Sequence, residues 1–315
     1  MQARPARRHL KWLSWLIVGL LGLTSCASAT QPVQTRVQVQ APKPVAHSPG
    51  LFLYEVHGKL GSSYLLGTIH LGFGFDEVLT PRGRLCFDQS ARVMTEADVA
   101  AADPEQMLQA ALLPPERSLR HILGPDTWKK LTLRVDAQIP QPLLDRLEPW
   151  LPTVMLGLQD LGEALRELKP NAETKQMDLE LMKEAAAGGK AVSHFETVEE
   201  QLAVFGSIAL DEQVRELRRL LDEDGRAQAR KLLASFASGD EARLLESLFD
   251  EAELKSAPVF YDRVLFDRNA RWLPVIVREV EQGGAFIAVG AGHLLGERGI
   301  VSELQKRGYQ VSRVE

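Results

Sequence analysis

Two histidines stand in the same local setting near opposite ends of this 315-residue chain. Tyr64-Leu65-Leu66-Gly67-Thr68-Ile69-His70-Leu71 and Phe286-Ile287-Ala288-Val289-Gly290-Ala291-Gly292-His293-Leu294 both read as a short apolar run, then G-x-x-H, then leucine. Neutral imidazole is the commonest metal ligand, and a carboxylate can complete the ligand shell or act as a base. Glu96 and Glu196 each close a short strand-like segment. Two histidines and a glutamate converging in a cleft would bind a divalent transition metal, with positions open for water and substrate. A single G-x-x-H carries little weight, because one histidine after a strand is usually a hydrogen-bonded structural residue. Its recurrence in the same context singles out His70 and His293. Glu196 has a second explanation, support of the helix start at Thr197.

Arg268 adds a cation. Tyr261, Leu265, Trp272 and Ile276 form an apolar stripe at helical spacing, and Arg268 and Asn269 project near it. A guanidinium buried there without a partner would be costly. Arg268 is therefore expected to pair with a carboxylate such as Glu96 or to face a substrate oxyanion. The other option is an aliphatic stem lying on the core with its head in water.

These residues must be held by strands and helices. Leu51 to His57 and Ser62 to Gly67 read as two strands joined through Gly58-Lys59-Leu60-Gly61. A glycine-bearing loop, Leu71 to Phe75, precedes a helix over Arg82 to Gln89 and a strand over Ala91 to Glu96. From Pro104 to about Gly189 prolines punctuate a helical region. The pattern predicts helices at 104–112, 126–137, 143–148, 153–168 and 174–187. Lys190 to Glu196 reads as a strand, and Thr197 with Glu200 forms a capping box. Helices are expected over 211–236, 240–249 and, interrupted at Pro274, 257–282. A strand Ala285 to Gly290, a helix Gly299 to Arg307 and a strand Tyr309 to Val314 complete the chain. Apolar strand, loop and helix recur, which is the pattern of an α/β protein with a largely parallel core sheet and a helical middle insertion. In such sheets ligands bind outside the carboxyl ends of the strands.

The first 25 residues contain Arg4, Arg7, Arg8 and Lys11 and no acid, followed by the apolar run Leu13 to Leu23. That run is shorter than the roughly 20 residues of a membrane-spanning helix and fits a secretory signal. Leu23-Thr24-Ser25-Cys26 resembles a bacterial lipobox. Residues 1–25 are then a lipoprotein signal peptide, and Cys26 is the lipidated first residue of the mature chain. Residues 26–50, rich in Gln, Pro, Val and Ala, form a disordered tether. Residues 51–315 form the folded domain. Ala27 after the cysteine favours the outer membrane in a Gram-negative cell; an ordinary signal peptide is the alternative. Cys86 is then without an intramolecular partner and reads as a core thiol. Without the four N-terminal cations, 33 basic residues remain against 42 acidic ones, a net charge near −9. An acidic body argues against nucleic-acid binding. The nucleophile-elbow, H-E-x-x-H, P-loop and dinucleotide fingerprints are missing from the sequence.

Taken together, the chain from Leu51 to Glu315 resembles the TraB/GumN family, part of the group that includes the Tiki metalloproteases. The marks are Leu65-Leu66-Gly67-Thr68-Ile69-His70, Glu96, Asp178, Phe195-Glu196-Thr197 with Glu200-Gln201, Arg268-Asn269, and Val289 to Gly296. The resemblance implies an α/β fold with two pseudo-equivalent strand–GxxH–helix units. It also implies a divalent-metal-dependent hydrolase, peptidase-like by analogy with the Tiki branch, using manganese or cobalt before zinc. His70, His293 and Glu96 would be the metal ligands. Glu96, Arg268 and Asn269 would be the catalytic groups, and Glu196 and Asp178 would stand behind them. An acid directly after the site glutamate is frequent in the family; here Ala97 intervenes before Asp98. The alternative is a non-catalytic lipoprotein that binds metal, haem, peptide or polysaccharide. Expected partners are the membrane, through the lipid, and a peptide or protein substrate; the oligomeric state is open.

Overall fold

The computed structural model describes residues 52–69, 71–98, 101–135, 139–170, 175–249 and 258–314. The signal segment, Cys26, the 26–50 tether and His70 lie outside the described residues. Six strands form one sheet in the order β4-β3-β5-β2-β1-β6. They are β1 (Leu53–Gly58), β2 (Gly61–Thr68), β3 (Arg92–Thr95), β4 (Ala191–His194), β5 (Ala285–Gly290) and β6 (Gln310–Arg313). β1 pairs antiparallel with β2 and β6, while β2, β5, β3 and β4 run parallel to one another. This is the expected α/β class, a largely parallel sheet with an antiparallel margin.

The first helices are α1 (Phe75–Val78), which begins where the expected loop ends, and α2 (Pro81–Gln89). Between β3 and β4 lie α3 (Pro104–Ala110), α4 (Leu119–Leu123), α5 (Pro125–Val135), α6 (Gln141–Leu144), α7 (Trp150–Leu168) and α8 (Met177–Ala187). The helix expected at 143–148 is instead the single turn α6. The chain then straightens, and Leu147 makes an antiparallel bridge to Leu112. After β4 come α9 (Val198–Gly206), α10 (Leu210–Asp222), α11 (Gly225–Ser238) and α12 (Glu241–Leu248). The sequence predicts one helix over 211–236. The chain breaks it at Glu223-Asp224, where the Asp224 side chain accepts from Ala227 N–H and starts α11.

The long helix expected over 257–282 is composite. α13 (Pro258–Tyr261) leads into a π-helical turn, Asp262–Phe266, and then α14 (Asp267–Gln282), which contains Pro274. The chain ends with α15 (Ala291–Leu294), α16 (Ile300–Lys306) and β6.

Two apolar clusters result. The larger is built on the sheet, with Leu65, Leu66, Val93, Phe286, Ile287 and Val289 buried between helices. Phe75 and Phe87 meet Phe286 edge-on at 6.2 and 5.2 Å between ring centres, the tilted geometry aromatic pairs prefer. Trp272, Ile276 and Val280 lay α14 on this core, which fixes its register against the sheet. The smaller cluster joins the helices between β3 and β4 to α9 and α10. Cys86 is a buried free thiol, and burial raises its pKa, as suits a core residue. Among the described residues no helix is long and apolar enough to cross a membrane.

The capping box at α9 forms as expected. The Thr197 hydroxyl accepts from Glu200 N–H at 3.1 Å, and Glu200 accepts from Thr197 N–H at 2.8 Å. Thr197→Ala should cost about 1 kcal/mol. Urea unfolding would show it as a lower midpoint with an unchanged slope, and an unchanged midpoint would disprove the cap's contribution.

Candidate functional site

The carboxyl ends of β3, β4 and β5 bring together Glu96, Glu196 and His293, and α14 adds Arg268 and Asn269. Residues Thr95 and His194 are paired in register, so Glu96 and Glu196 leave adjacent strands side by side. Glu196 N–H donates to the Glu96 carbonyl at 3.0 Å. On the other side of β5, Thr68 at the end of β2 pairs with Gly290. The chain order makes this region a switch point: β5 returns to lie between β2 and β3, so connections leave it in both directions.

Arg268 is 4% exposed, as is His293, and Glu96 and Glu196 are each 8% exposed. The guanidinium uses all five of its N–H groups. Nη2 donates to Glu96 Oε2 at 2.6 Å and to Glu196 Oε1 at 2.5 Å, and Nε donates to the same Glu196 oxygen at 3.0 Å. Nη1 donates to the Val264 carbonyl and to His293 Nε2, both at 3.1 Å. Burial alone would lower the Arg268 pKa, but the attraction and hydrogen bonds of the two glutamates outweigh it and raise the value. The π turn contributes here. Its wider register carries Asp267 N–H to the Asp262 carbonyl, five residues back, and the Val264 carbonyl accepts from the Arg268 side chain.

Asn269 fixes the imidazole. Its amide nitrogen donates to the His293 and Arg298 carbonyls at 3.1 and 3.3 Å, which leaves its oxygen facing His293 Nδ1 at 2.7 Å. Nδ1 must therefore carry a proton. Nε2 faces Arg268, which has only donors, so it presents a lone pair. Glu96 Oε1 lies 3.7 Å from that nitrogen and accepts Gly290 N–H at 2.7 Å. Trp272 forms the floor of the site, with its ring 4.6 Å from His293 and under the guanidinium at 4.5 Å, and Phe195 stacks on it.

The glycines of the two G-x-x-H units serve close approach rather than a turn. A Cβ on Gly67 would lie 3.0 Å from Phe52 Cβ and 3.2 Å from Ala291 Cα, where α15 rests on β2. A Cβ on Gly290 would lie 3.3 Å from Glu96 Oε1. Gly67 also does not end its strand, which continues through Thr68.

Of the residues expected at the site, Glu96, Glu196, Arg268, Asn269 and His293 are brought together. Glu196 touches Arg268 directly. Asp178 lies in the first turn of α8, a helix packed against β3 and β4. Three residues were missed as participants. Gln201 donates to Glu96 Oε2 at 3.1 Å, and Trp272 packs as described. Arg271 brings Nη2 to 3.6 Å from Glu196 Oε2. One turn of helix links Gln201 to Thr197, and another links Trp272 to Arg268, so helical spacing could have found both. Among the described residues, Thr68 Oγ1, Glu196 Oε2 and Trp272 Nε1 are buried without a hydrogen-bond partner. Such atoms are rare in folded proteins, and these three sit in or against this region.

The fold and site thus define an α/β protein with a buried carboxylate–guanidinium–imidazole centre at the parallel strand ends. Residues 52–313 match the TraB/PrgY/gumN family, and the chain belongs to it. An uncharacterized protein of Treponema pallidum (strain Nichols) is 23% identical over 289 residues, covering 84% of this chain and 83% of that protein. No solved structure matches.

Proposed function

We propose that this protein is a lipid-anchored, divalent-metal-dependent hydrolase that cleaves peptide bonds, using manganese or cobalt before zinc. The observation that carries the reading is the 3.7 Å between His293 Nε2, held as a lone-pair donor, and Glu96 Oε1. Two donors each about 2.1 Å from a metal ion lie within about 4.2 Å of each other, so the spacing suits one ion once Arg268 Nη1, which donates to that Nε2 at 3.1 Å, has turned away. Among the described residues no group of three His, Cys, Asp or Glu is placed to hold a metal. The reading therefore takes His70 as the third ligand, from outside the described residues. The parallel pairing of Thr68 with Gly290 supports that choice, because it sets the strands that lead into the two G-x-x-H units side by side.

The ion would polarise a carbonyl and activate water. Glu96 would take the proton of the attacking water. Arg268 Nη1, shared with His293 in the structure, is the donor that would turn to the substrate oxyanion. Glu196 keeps the guanidinium in place while it does so, and Asn269 keeps Nε2 aimed into the site. Cys26 supplies the anchor in the cell envelope, on the outer membrane in a Gram-negative cell.

The test is metal content and turnover together. Protein stripped with a chelator should cleave none of a mixed peptide library, and manganese or cobalt added in molar equivalence should restore cleavage. Stoichiometric uptake of metal or haem with no cleavage would make the chain a carrier instead. Cleavage indifferent to chelation would rule out the metal reading.

A further inference from the structure

The Glu96 carboxylate is held from three elements. Oε1 accepts from Gly290 N–H at the end of β5 at 2.7 Å. Oε2 accepts from Arg268 Nη2 on α14 at 2.6 Å and from Gln201 Nε2 on α9 at 3.1 Å. Gln201 has no role in the hydrolysis as proposed, yet it is a donor that stays in place when Arg268 turns. The terminal torsion of a glutamate side chain is soft, so hydrogen bonds set the plane of its carboxylate. A guanidinium is rigid and planar, so turning Nη1 away from His293 Nε2 turns Nη2 with it. Nη2 is also shared with Glu196.

α9 offers a firm base for the second donor. The Thr197–Glu200 capping box fixes its start, and Val198 and Leu202 are buried in the smaller apolar cluster on either side of Gln201. The residue type also suits the place. Gln201 follows Glu199 and Glu200, and of the three it is the neutral amide that reaches Glu96. A lysine there would offset the carboxylate charge that attracts a cation, and a glutamate would set a third carboxylate against Glu96.

We propose that Gln201 is a positioning residue for the centre: it fixes the plane of the Glu96 carboxylate, so that Oε1 keeps its place 3.7 Å from His293 Nε2 while Arg268 turns. The proposal rests on the metal-hydrolase reading and adds to it the contact through which the helical cluster bears on the centre.

The test reads the ion and not turnover. Gln201→Met keeps the side-chain length and removes the donor. Calorimetric titration of the full chain with manganese should show about tenfold weaker binding. The visible absorption of the cobalt-loaded protein should change in position or intensity, because that band reports the arrangement of ligands round the ion. Leu202→Val is the control, since it loosens α9 beside Gln201 and leaves the amide in place. It should lower the melting temperature and leave manganese affinity and the cobalt band unchanged. Affinity and absorption in Gln201→Met equal to those of the unaltered protein would overturn the proposal. An equal loss of affinity in Leu202→Val would overturn it too, by making Gln201 a packing residue only. If the unaltered protein takes up neither ion, the metal reading falls and this role falls with it.

Discussion

Arg268→Met should cost the protein about 3–5 kcal/mol of folding stability, the range found when one member of a buried ion pair is removed. The substitution keeps much of the side-chain volume and removes the charge that Glu96 and Glu196 share at 2.6 and 2.5 Å. Two buried carboxylates would then face each other from neighbouring strand ends. Arg271 cannot replace the lost cation, since it is largely exposed and its contact with Glu196 is 3.6 Å. Arg268→Lys should cost less but not nothing, because an ammonium has three donors and cannot span the five acceptor contacts of the planar fork. Adding Glu196→Gln to Arg268→Met should recover part of the loss by removing one unpaired charge, a coupling that chemical denaturation of the four proteins in the cycle measures directly. A loss below about 1 kcal/mol for Arg268→Met would show that the carboxylates do not depend on the guanidinium.

His293→Ala should lower manganese affinity and peptide turnover by at least about a hundredfold, and Asn269→Leu should lower both by about 10–100-fold. The two substitutions remove different things. The first deletes the donor nitrogen. The second leaves it in place but frees the ring, because Nδ1–H loses its acceptor and Nε2 is no longer bound to be the bare nitrogen. Asn269→Asp should restore affinity in part, since a carboxylate still accepts from Nδ1, although its bonds to the His293 and Arg298 carbonyls are lost. Titration calorimetry with manganese reads the effect without turnover. If Asn269→Leu binds the ion as the unaltered protein does, the amide does not orient the ligand.

Much of this centre could be read before any fold was known. Apolar runs such as Phe286 to Val289 are long enough to be buried strands, and residues just past the carboxyl end of a buried strand in an α/β sheet stand where ligands bind. That reasoning located Glu96, Glu196 and His293. The stripe through Trp272 and Ile276 put Arg268 and Asn269 on the side facing the protein but left open whether the guanidinium was buried or reached water. The partnerships were harder to read. Helix support explained Glu196 locally, but the cap of α9 is made by Thr197 and Glu200, and the Glu196 carboxylate goes to Arg268. Its bond to Arg268 depends on the register of β3 against β4, across a long helical insertion, and no local pattern encodes it. The π turn was hidden for a similar reason. Asp262 to Phe266 has ordinary helical residues, and the altered hydrogen bonding comes from fitting α14 to the sheet while Arg268 reaches Val264. The break at Glu223-Asp224 was visible as an N-cap aspartate followed by Gly225, but continuous helical periodicity on both sides masked it.

The pairing of Arg268 with Glu96 spans 172 positions along the chain, and its pairing with Glu196 spans 72. Closing loops of that length is entropically unfavourable until the sheet and α14 have docked, so these contacts belong to the late part of folding. A chain that has emerged only as far as α9 holds both glutamates but neither Arg268 nor His293. Its site would be two carboxylates without their counter-ion. Competence thus arrives with the last fifth of the polypeptide, and a partly synthesised or partly unfolded molecule lacks the centre as a whole.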